Sequence, residues 1–357
     1  MCQKIIKKYW IFLWLWYNII VAEVQAIKNR VNMTKNGGTK MNINELNNLL
    51  SIIKNPTIGK ALLTTYHKLN NCHYNKVLCS VSGGSDSDIV LDIVTKCDNN
   101  KIVEFYYFDT GLEYQATKEH IEYLQEKYNI VINTARPKIP ITLAVKKHGQ
   151  PFLSKMVSEN IQRLQRHNFK WEDKPFNELI KEYPNCKSAL QWWSNAKENN
   201  SLLGIDRNKN LKNYMINNKP NFSISNKCCK YAKKDILKDL LKNGYDLHIT
   251  GIRKLEGGVR AVAYKSCFDT KESYDDFRPI FWFTDNDKVE YRKLFNVSNS
   301  KCYSVYGLER TGCVGCPFSK DYKKELEVIK KYEPKLYNAV LNLFKESYDY
   351  IDKYKEQ

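Results

Sequence analysis

Val77-Leu78-Cys79-Ser80-Val81 runs directly into Ser82-Gly83-Gly84-Ser85-Asp86-Ser87, and then into Ile89-Val90-Leu91-Asp92-Ile93-Val94. The first part is a short apolar run, the second a glycine turn, and the third a helix-like segment. In that order they make an anion site. Glycines let the backbone come close to a ligand. The hydroxyls of Ser82, Ser85 and Ser87 and the unpaired N–H groups at a helix start then face phosphate oxygens. No lysine follows the glycines, so this is not the G-x-x-x-x-G-K-[ST] loop, and the glycine spacing is not G-x-G-x-x-G.

Working outward, helical spacing recurs over Asn42–Asn55 and Ile58–Leu69 before the first strand, Lys76–Val81. A helix over Asp86–Lys96 follows the loop. Lys101–Phe108 reads as a second strand, Tyr114–Tyr128 as a helix and Ile130–Thr134 as a third strand. Alternating strands and helices predict an α/β fold with a doubly wound, mostly parallel sheet of five strands. Ligands of such sheets bind at the carboxyl ends of the strands. Residues 139–226 read as a helical insertion where substrate choice is expected. The pattern resumes with the helix Tyr231–Lys242, the strand Asp246–Thr250 and the helix Asp285–Phe295, with Thr284 as its N-cap. Residues 319–357 form a helical tail broken at Glu333-Pro334.

Three other groups of residues carry chemistry. Asp109, Thr110 and Gly111 end the second strand, where a carboxylate and a hydroxyl can hold magnesium, ribose or adenine; a simple Asx turn is the alternative. Gly251-Ile252-Arg253, with Glu256 and Arg260 downstream, offers guanidinium forks for phosphate or sulfate. Cys228-Cys229 and Cys313-Val314-Gly315-Cys316 supply four thiolates, the set that an iron–sulfur cubane or a Cys₄ zinc requires. Histidines show no metal spacing, and no Ser-His-Asp arrangement is readable.

The chain has 357 residues and a net charge of +18, which fits a polyanionic partner: nucleotide phosphates or a nucleic acid. Eleven cysteines, an odd number in a chain this long, exclude a secreted disulfide framework and fit reduced thiols in a cytoplasm. Residues 1–40 form an N-terminal extension. Met1–Lys8 is basic and Tyr9–Ala22 apolar, the layout of a signal peptide, yet the apolar part is short for the roughly 20 residues of a membrane span. A translation start at Met33 or Met41 would remove it; otherwise a hydrophobic segment leaves membrane association open.

Ser82–Ser87 matches S-G-G-x-D-S and resembles the PP-loop of the adenine nucleotide alpha hydrolases. Phe108-Asp109-Thr110-Gly111 is similar to the D-T-G stretch of the phosphoadenosine phosphosulfate (PAPS) reductase family within that superfamily. Gly251–Arg260 resembles its G-x-R-x-x-E-S-x-x-R segment, departing at Gly257. The cysteine pattern is similar to the cluster ligands of adenylyl-sulfate reductases. The resemblance covers residues 41–318, with the cluster-binding end at 301–318. It implies phosphate and nucleotide binding by Ser82–Ser87, Asp109, Thr110, Gly111, Arg253, Glu256 and Arg260, with Asp86, Arg253 and Arg260 catalytic. It further implies a 4Fe-4S cluster on Cys228, Cys229, Cys313 and Cys316, with zinc as the alternative, and magnesium accompanying ATP or a sulfonucleotide. The family's assimilatory reductases use a nucleophilic cysteine in a C-terminal Glu-Cys-Gly-Leu-His motif, whereas the last cysteine here is Cys316. The S-G-G-x-D-S form is that of enzymes cleaving ATP between its α and β phosphates. Three functions therefore stand open: reduction of a sulfonucleotide, ATP-driven sulfur transfer to a nucleic acid (tRNA or DNA), and a non-catalytic nucleotide- and redox-sensing module. A sulfur or electron donor protein is an expected partner of the first two.

Overall fold

The computed structural model describes residues 40–196, 203–257 and 263–357. The N-terminal segment, as far as residue 39, and Arg260 lie outside the described residues. The chain divides into two compact units. The first comprises the described residues up to Tyr106, Glu119–Asn133 and Gly244–Ser300; the second comprises Tyr107–Lys118, Thr134–Asn243 and Lys301–Gln357.

The strands are β1 (Val77–Val81), β2 (Val103–Phe108), β3 (Ile132–Ala135), β4 (Leu247–Ile249), β5 (Phe268–Thr270) and β6 (Asp275–Phe277). They form one sheet in the order β3-β2-β1-β4-β6-β5. β4 lies parallel to both β1 and β6, with Val77 opposite Leu247 and Cys79 opposite Ile249. β5 runs antiparallel to β6. The α/β, mostly parallel reading holds, with six strands in place of five. The extra strand is the short antiparallel edge. The apolar stretch Arg278–Phe283 is a buried turn that follows β6.

The order places a switch point between β1 and β4. The chain winds outward through β2 and β3 on one side, then returns to the other. The carboxyl ends of β1 and β4 therefore lie side by side in the first unit, each followed by a glycine-containing loop.

The helix Ser85–Cys97 is buried at every position from Ser87 to Cys97. It packs against the helices Pro56–Asn71 and Asp285–Phe295. Its two buried carboxylates, Asp88 and Asp92, meet partners from other elements, although Asp88 Oδ1 itself accepts no hydrogen bond among the described residues. Asp92 accepts from Lys96, from Tyr128 at 2.8 Å and from Tyr291 at 2.6 Å. Asp88 meets the ring of His120 at 2.9 Å. An unpaired charge at such depth would cost several kcal/mol, so each carboxylate keeps its partner.

A polar ladder laces the other half of the sheet. His248 on β4 bonds Ser80 at 2.8 Å and Asp276 at 3.1 Å. Asp276 in turn faces Arg278, whose side chain is fully buried and also meets Asp269 at 2.7 Å and the Ser266 carbonyl at 2.9 Å. Burial opposes the charge of Asp276. His248 and Arg278 outweigh it and hold the carboxyl below its usual range.

The second unit is helical. Its core includes Phe152, Trp192, Trp193, Tyr214 and Phe344. The tail helices are Tyr322–Tyr332 and Pro334–Lys355. They break at Glu333, which adopts φ −138° and ψ 62° ahead of the proline, because a residue before proline is pushed out of the helical region. Among the described residues no helix is long and apolar enough to cross a membrane.

Arg278→Ala removes the cation that joins β5 to β6 and leaves Asp276 buried with a lost partner. Chemical denaturation should show a destabilisation of about 3–5 kcal/mol; a loss below about 1 kcal/mol would overturn this role.

Candidate functional site

In the first unit the glycine loop takes the form its sequence requires. Gly83 has φ +62°, a backbone that favours glycine. Gly84 is the N-cap of Ser85–Cys97 and supplies no side-chain cap. The first N–H groups of that helix are thus left for a ligand. Ser87 Oγ accepts from the Ser82 N–H at 2.8 Å, closing the turn while its own proton stays available to donate.

The loop after β4 clamps this turn. A Cβ on Gly251 would lie 3.1 Å from the backbone carbonyl carbon of Asp86 and from the Ser87 nitrogen, so a side chain there would push the two loops a few tenths of an ångström apart. Arg253, nearly buried, donates from Nε to Asp86 Oδ2 at 3.0 Å. Its other donors go to Asp285 at 2.9 Å and to the Phe283 carbonyl at 3.2 Å. Burial works against the Arg253 charge, but Asp86 and Asp285 outweigh it and raise its pKa. Glu256 accepts from the Arg253 N–H at 3.1 Å and so fixes the turn that presents the guanidinium.

Two further cations come from the helix Asp285–Phe295. Lys288 Nζ lies 2.6 Å from Asp86 Oδ1. Arg292 donates to the Ser85 carbonyl at 2.6 Å and to Ser85 Oγ at 3.2 Å, and stands 3.7 Å from Asp88. The sequence reading missed both. The available signal was their four-residue spacing, which puts them on one face of a helix whose N-cap, Thr284, was legible. The observed cap is a full capping box with Asp287.

The second unit holds a separate group. Asp109 forms an Asx turn with the Gly111 N–H at 3.0 Å and meets Arg136 at 3.3 Å. Thr110 Oγ1 donates to Glu113 at 2.7 Å and lies 3.7 Å from Cys313 Sγ. The Val314 N–H donates to the Leu112 carbonyl at 2.8 Å, tying the Cys-x-x-Cys turn to the end of β2. Inside that turn Gly315 has φ +59°, and a Cβ there would come within 2.9 Å of the Tyr348 hydroxyl and 3.0 Å of Val340. Tyr348 donates to the Gly315 carbonyl and holds the turn from the tail helix.

Cys228 and Cys229 lie in the short helix Lys227–Cys229, followed by a π-helical turn, Lys230–Lys234. Such wide turns often mark functional sites. All four expected thiols act on one another electrostatically. The hydrogen bond between Cys228 and Cys229 raises the first and lowers the second to about 6, helped by Lys155, Lys233 and Lys234. Burial pushes Cys313 and Cys316 up. Cys313 holds the Lys233 ammonium above its ordinary range against burial, while burial raises Glu113. Lys233 and Glu113 were not singled out from sequence; Lys233 stands one helical turn after Cys229. Among the described residues no group of three or more His, Cys, Asp or Glu is arranged to hold a metal ion. The chemistry of the donor set, four thiols with Lys233 acting on Cys313, is that of a thiolate-bound group.

A mostly parallel α/β sheet with a glycine-serine loop at its switch point defines the PP-loop class of nucleotide-binding folds. A family model of the phosphoadenosine phosphosulfate reductase domain matches residues 76–319, and the chain belongs to that family. An uncharacterized protein of Methanocaldococcus jannaschii is 23% identical over 79% of this chain and 43% of its own length. Adenosine 5'-phosphosulfate reductase 2 of Bacillus subtilis is 32% identical over 21% of this chain and 31% of its own. The chain thus spans less than half the length of these curated relatives. Among solved structures, the phosphoadenylyl-sulfate reductase of Candida auris, a phosphate complex, is 11% identical, covering 78% of this chain and 98% of that one, with a TM-score of 0.39. The U34-tRNA thiolase of Methanococcus maripaludis, solved with its 4Fe-4S cluster, is 12% identical over 85% and 80%, with a TM-score of 0.36.

Gly251→Ala tests the close approach of the two loops. Calorimetric titration with ATP should show at least a tenfold weaker affinity in a protein that still folds; unchanged affinity would remove the clamp from the nucleotide site.

Proposed function

We propose that this chain is an enzyme that binds an adenine nucleotide on Ser82–Ser87 and carries a 4Fe-4S cluster on Cys228, Cys229, Cys313 and Cys316, working in sulfur transfer or sulfonucleotide reduction. The observation that carries the nucleotide half is the clamp on Asp86. Arg253 and Lys288 hold one carboxylate from two elements, so the loop is fixed with cations at its rim. Preorganised donors of this kind stabilise charge developing on phosphate without reorganising at the moment of reaction.

The roles of the residues follow from their bonds. Arg253 spends its donors on Asp86, Asp285 and Phe283, so it positions the loop. Lys288 has a single flexible ammonium and can leave Asp86 for a phosphate oxygen. That exchange frees a carboxylate oxygen for magnesium arriving with the nucleotide. Arg292 fixes Ser85 at the helix start. Arg260, Asp109 and Thr110 keep their expected nucleotide roles as part of the proposal, with Asp109 held by Arg136 and Thr110 by Glu113.

A bound cluster would supply a redox or sulfide-carrying centre. The four cysteines would hold it, and Lys233 beside Cys313 would offset thiolate charge. Zinc is the other metal such a donor set takes.

Anaerobically purified protein should be brown, with iron and sulfide in four-iron stoichiometry. Cys313→Ser and Cys316→Ser should each lose the colour. A colourless protein carrying zinc would overturn the cluster.

Pyrophosphate release from ATP would support ATP-driven sulfur transfer, and sulfite release from PAPS would support reduction. Neither, with tight nucleotide binding, would favour a non-catalytic module. Asp86→Ala should abolish either activity. Lys288→Ala should weaken ATP binding about 10- to 100-fold, the loss of a charge-assisted contact or two. Full activity in Asp86→Ala would sink the loop assignment.

A further inference from the structure

Positive charge is concentrated in one stretch of the chain. Between residues 134 and 243 there are 22 Lys and Arg against 9 Asp and Glu, so this stretch carries most of the net charge of +18. Several of these cations are already neutralised. Arg163 pairs with Glu159, Lys174 with Glu172 and Glu182, and Lys212 with Asp173. Lys170 and Lys219 are exposed and form no ion pair among the described residues.

These two lysines stand in the wall of an open cleft of about 620 Å³ in the second unit, together with Asn168 and Asn221. Phe169, Trp171 and Phe222, all largely buried, also line it. The cleft is built rather than incidental. Gln165 donates to the Phe222 carbonyl at 2.8 Å and accepts from the Ile224 N–H at 2.9 Å, tying its helix to the strip that carries Lys219. Phe169 packs edge-on against Trp171 and Trp193, at 5.7 Å and 5.4 Å between centroids. The chain takes left-handed backbone on both sides of Lys170, with φ +54° at Asn168 and φ +59° at Trp171. Such conformations cost roughly 1–3 kcal/mol each in non-glycine residues and persist where the surrounding structure enforces them.

We infer that this cleft binds the sugar–phosphate backbone of a single-stranded nucleic acid. Ammonium and carboxamide donors are the groups that contact phosphate and sugar oxygens. A concave surface of this size admits one strand but not the convex side of a duplex. Phe169, Trp171 and Phe222 are buried, so bases do not stack on them, and recognition is backbone-directed and sequence-tolerant. Their burial also leaves nothing apolar to insert into a lipid surface. The inference does not rest on the nucleotide reading of the first unit, because the cleft can be tested without ATP.

The test is fluorescence anisotropy of the full-length chain with labelled 20-nucleotide single-stranded RNA and DNA of mixed sequence, with the matching duplex, and with anionic phosphatidylserine vesicles. Single strands should bind best, and affinity should fall roughly twentyfold between 50 and 200 mM salt if about three phosphates are contacted. The double variant K170E/K219E should bind single strands at least tenfold more weakly with its melting temperature and ATP affinity unchanged. K170R/K219R should retain binding. Wild-type affinity in the charge-reversed variant, preference for duplex or vesicles, or no single-strand binding at 50 mM salt would each overturn the inference.

Discussion

The first unit depends on a carboxylate shared by two cations. Asp86 sits at the start of a buried helix, where a negative charge is favoured by the helix dipole. Its oxygens are held by Arg253 from the loop after β4 and by Lys288 from the helix Asp285–Phe295. Three elements far apart in sequence are thereby joined at the carboxyl edge of the sheet. The fit of glycine at residue 251 follows, since the Arg253 loop reaches Asp86 with its backbone running against the helix start.

The second unit solves a different problem. Cys228, Cys229, Cys313 and Cys316 lie on two turns, and their charges act on one another. Gly315 and Tyr348 fix one pair, the turn Lys227–Cys229 fixes the other, and Lys233 supplies compensating charge. The carboxyl of Glu113, raised by burial, is hydrogen-bonded by Thr110. The arrangement is polar and buried at once, which is tolerable only because nearly every group has a partner.

Much of this was legible in the sequence because it is local. The strand-turn-helix at Val77–Cys97, the Thr284 cap and the break at Glu333-Pro334 all follow from short-range rules and appear where those rules place them. The edge of the sheet was not legible. Asp275-Asp276-Phe277 has poor strand character, and its aspartates are acceptable only because Tyr74, His248 and Arg278 meet them from elsewhere. The apolar Arg278–Phe283 is a turn that buries Arg278, Ile280, Phe281 and Phe283 while Trp282 faces water. Lys288 and Arg292 were hidden for the same reason: their meaning lies in Ser85 and Asp86, about 200 residues away in sequence, and no periodicity encodes that distance.

The π-helical turn at Lys230–Lys234 has a consequence for how this chain can change. Each of its hydrogen bonds spans one residue more than in an α-helix. A one-residue deletion there would let it close into ordinary helix while Cys228-Cys229 on one side and Asp235–Leu241 on the other stay in phase. What would change is the bulge itself, on which Lys233 stands beside Cys313. One residue, by its presence rather than its identity, thus decides whether the lysine beside the cysteines stands on a bulge or on a regular helical turn.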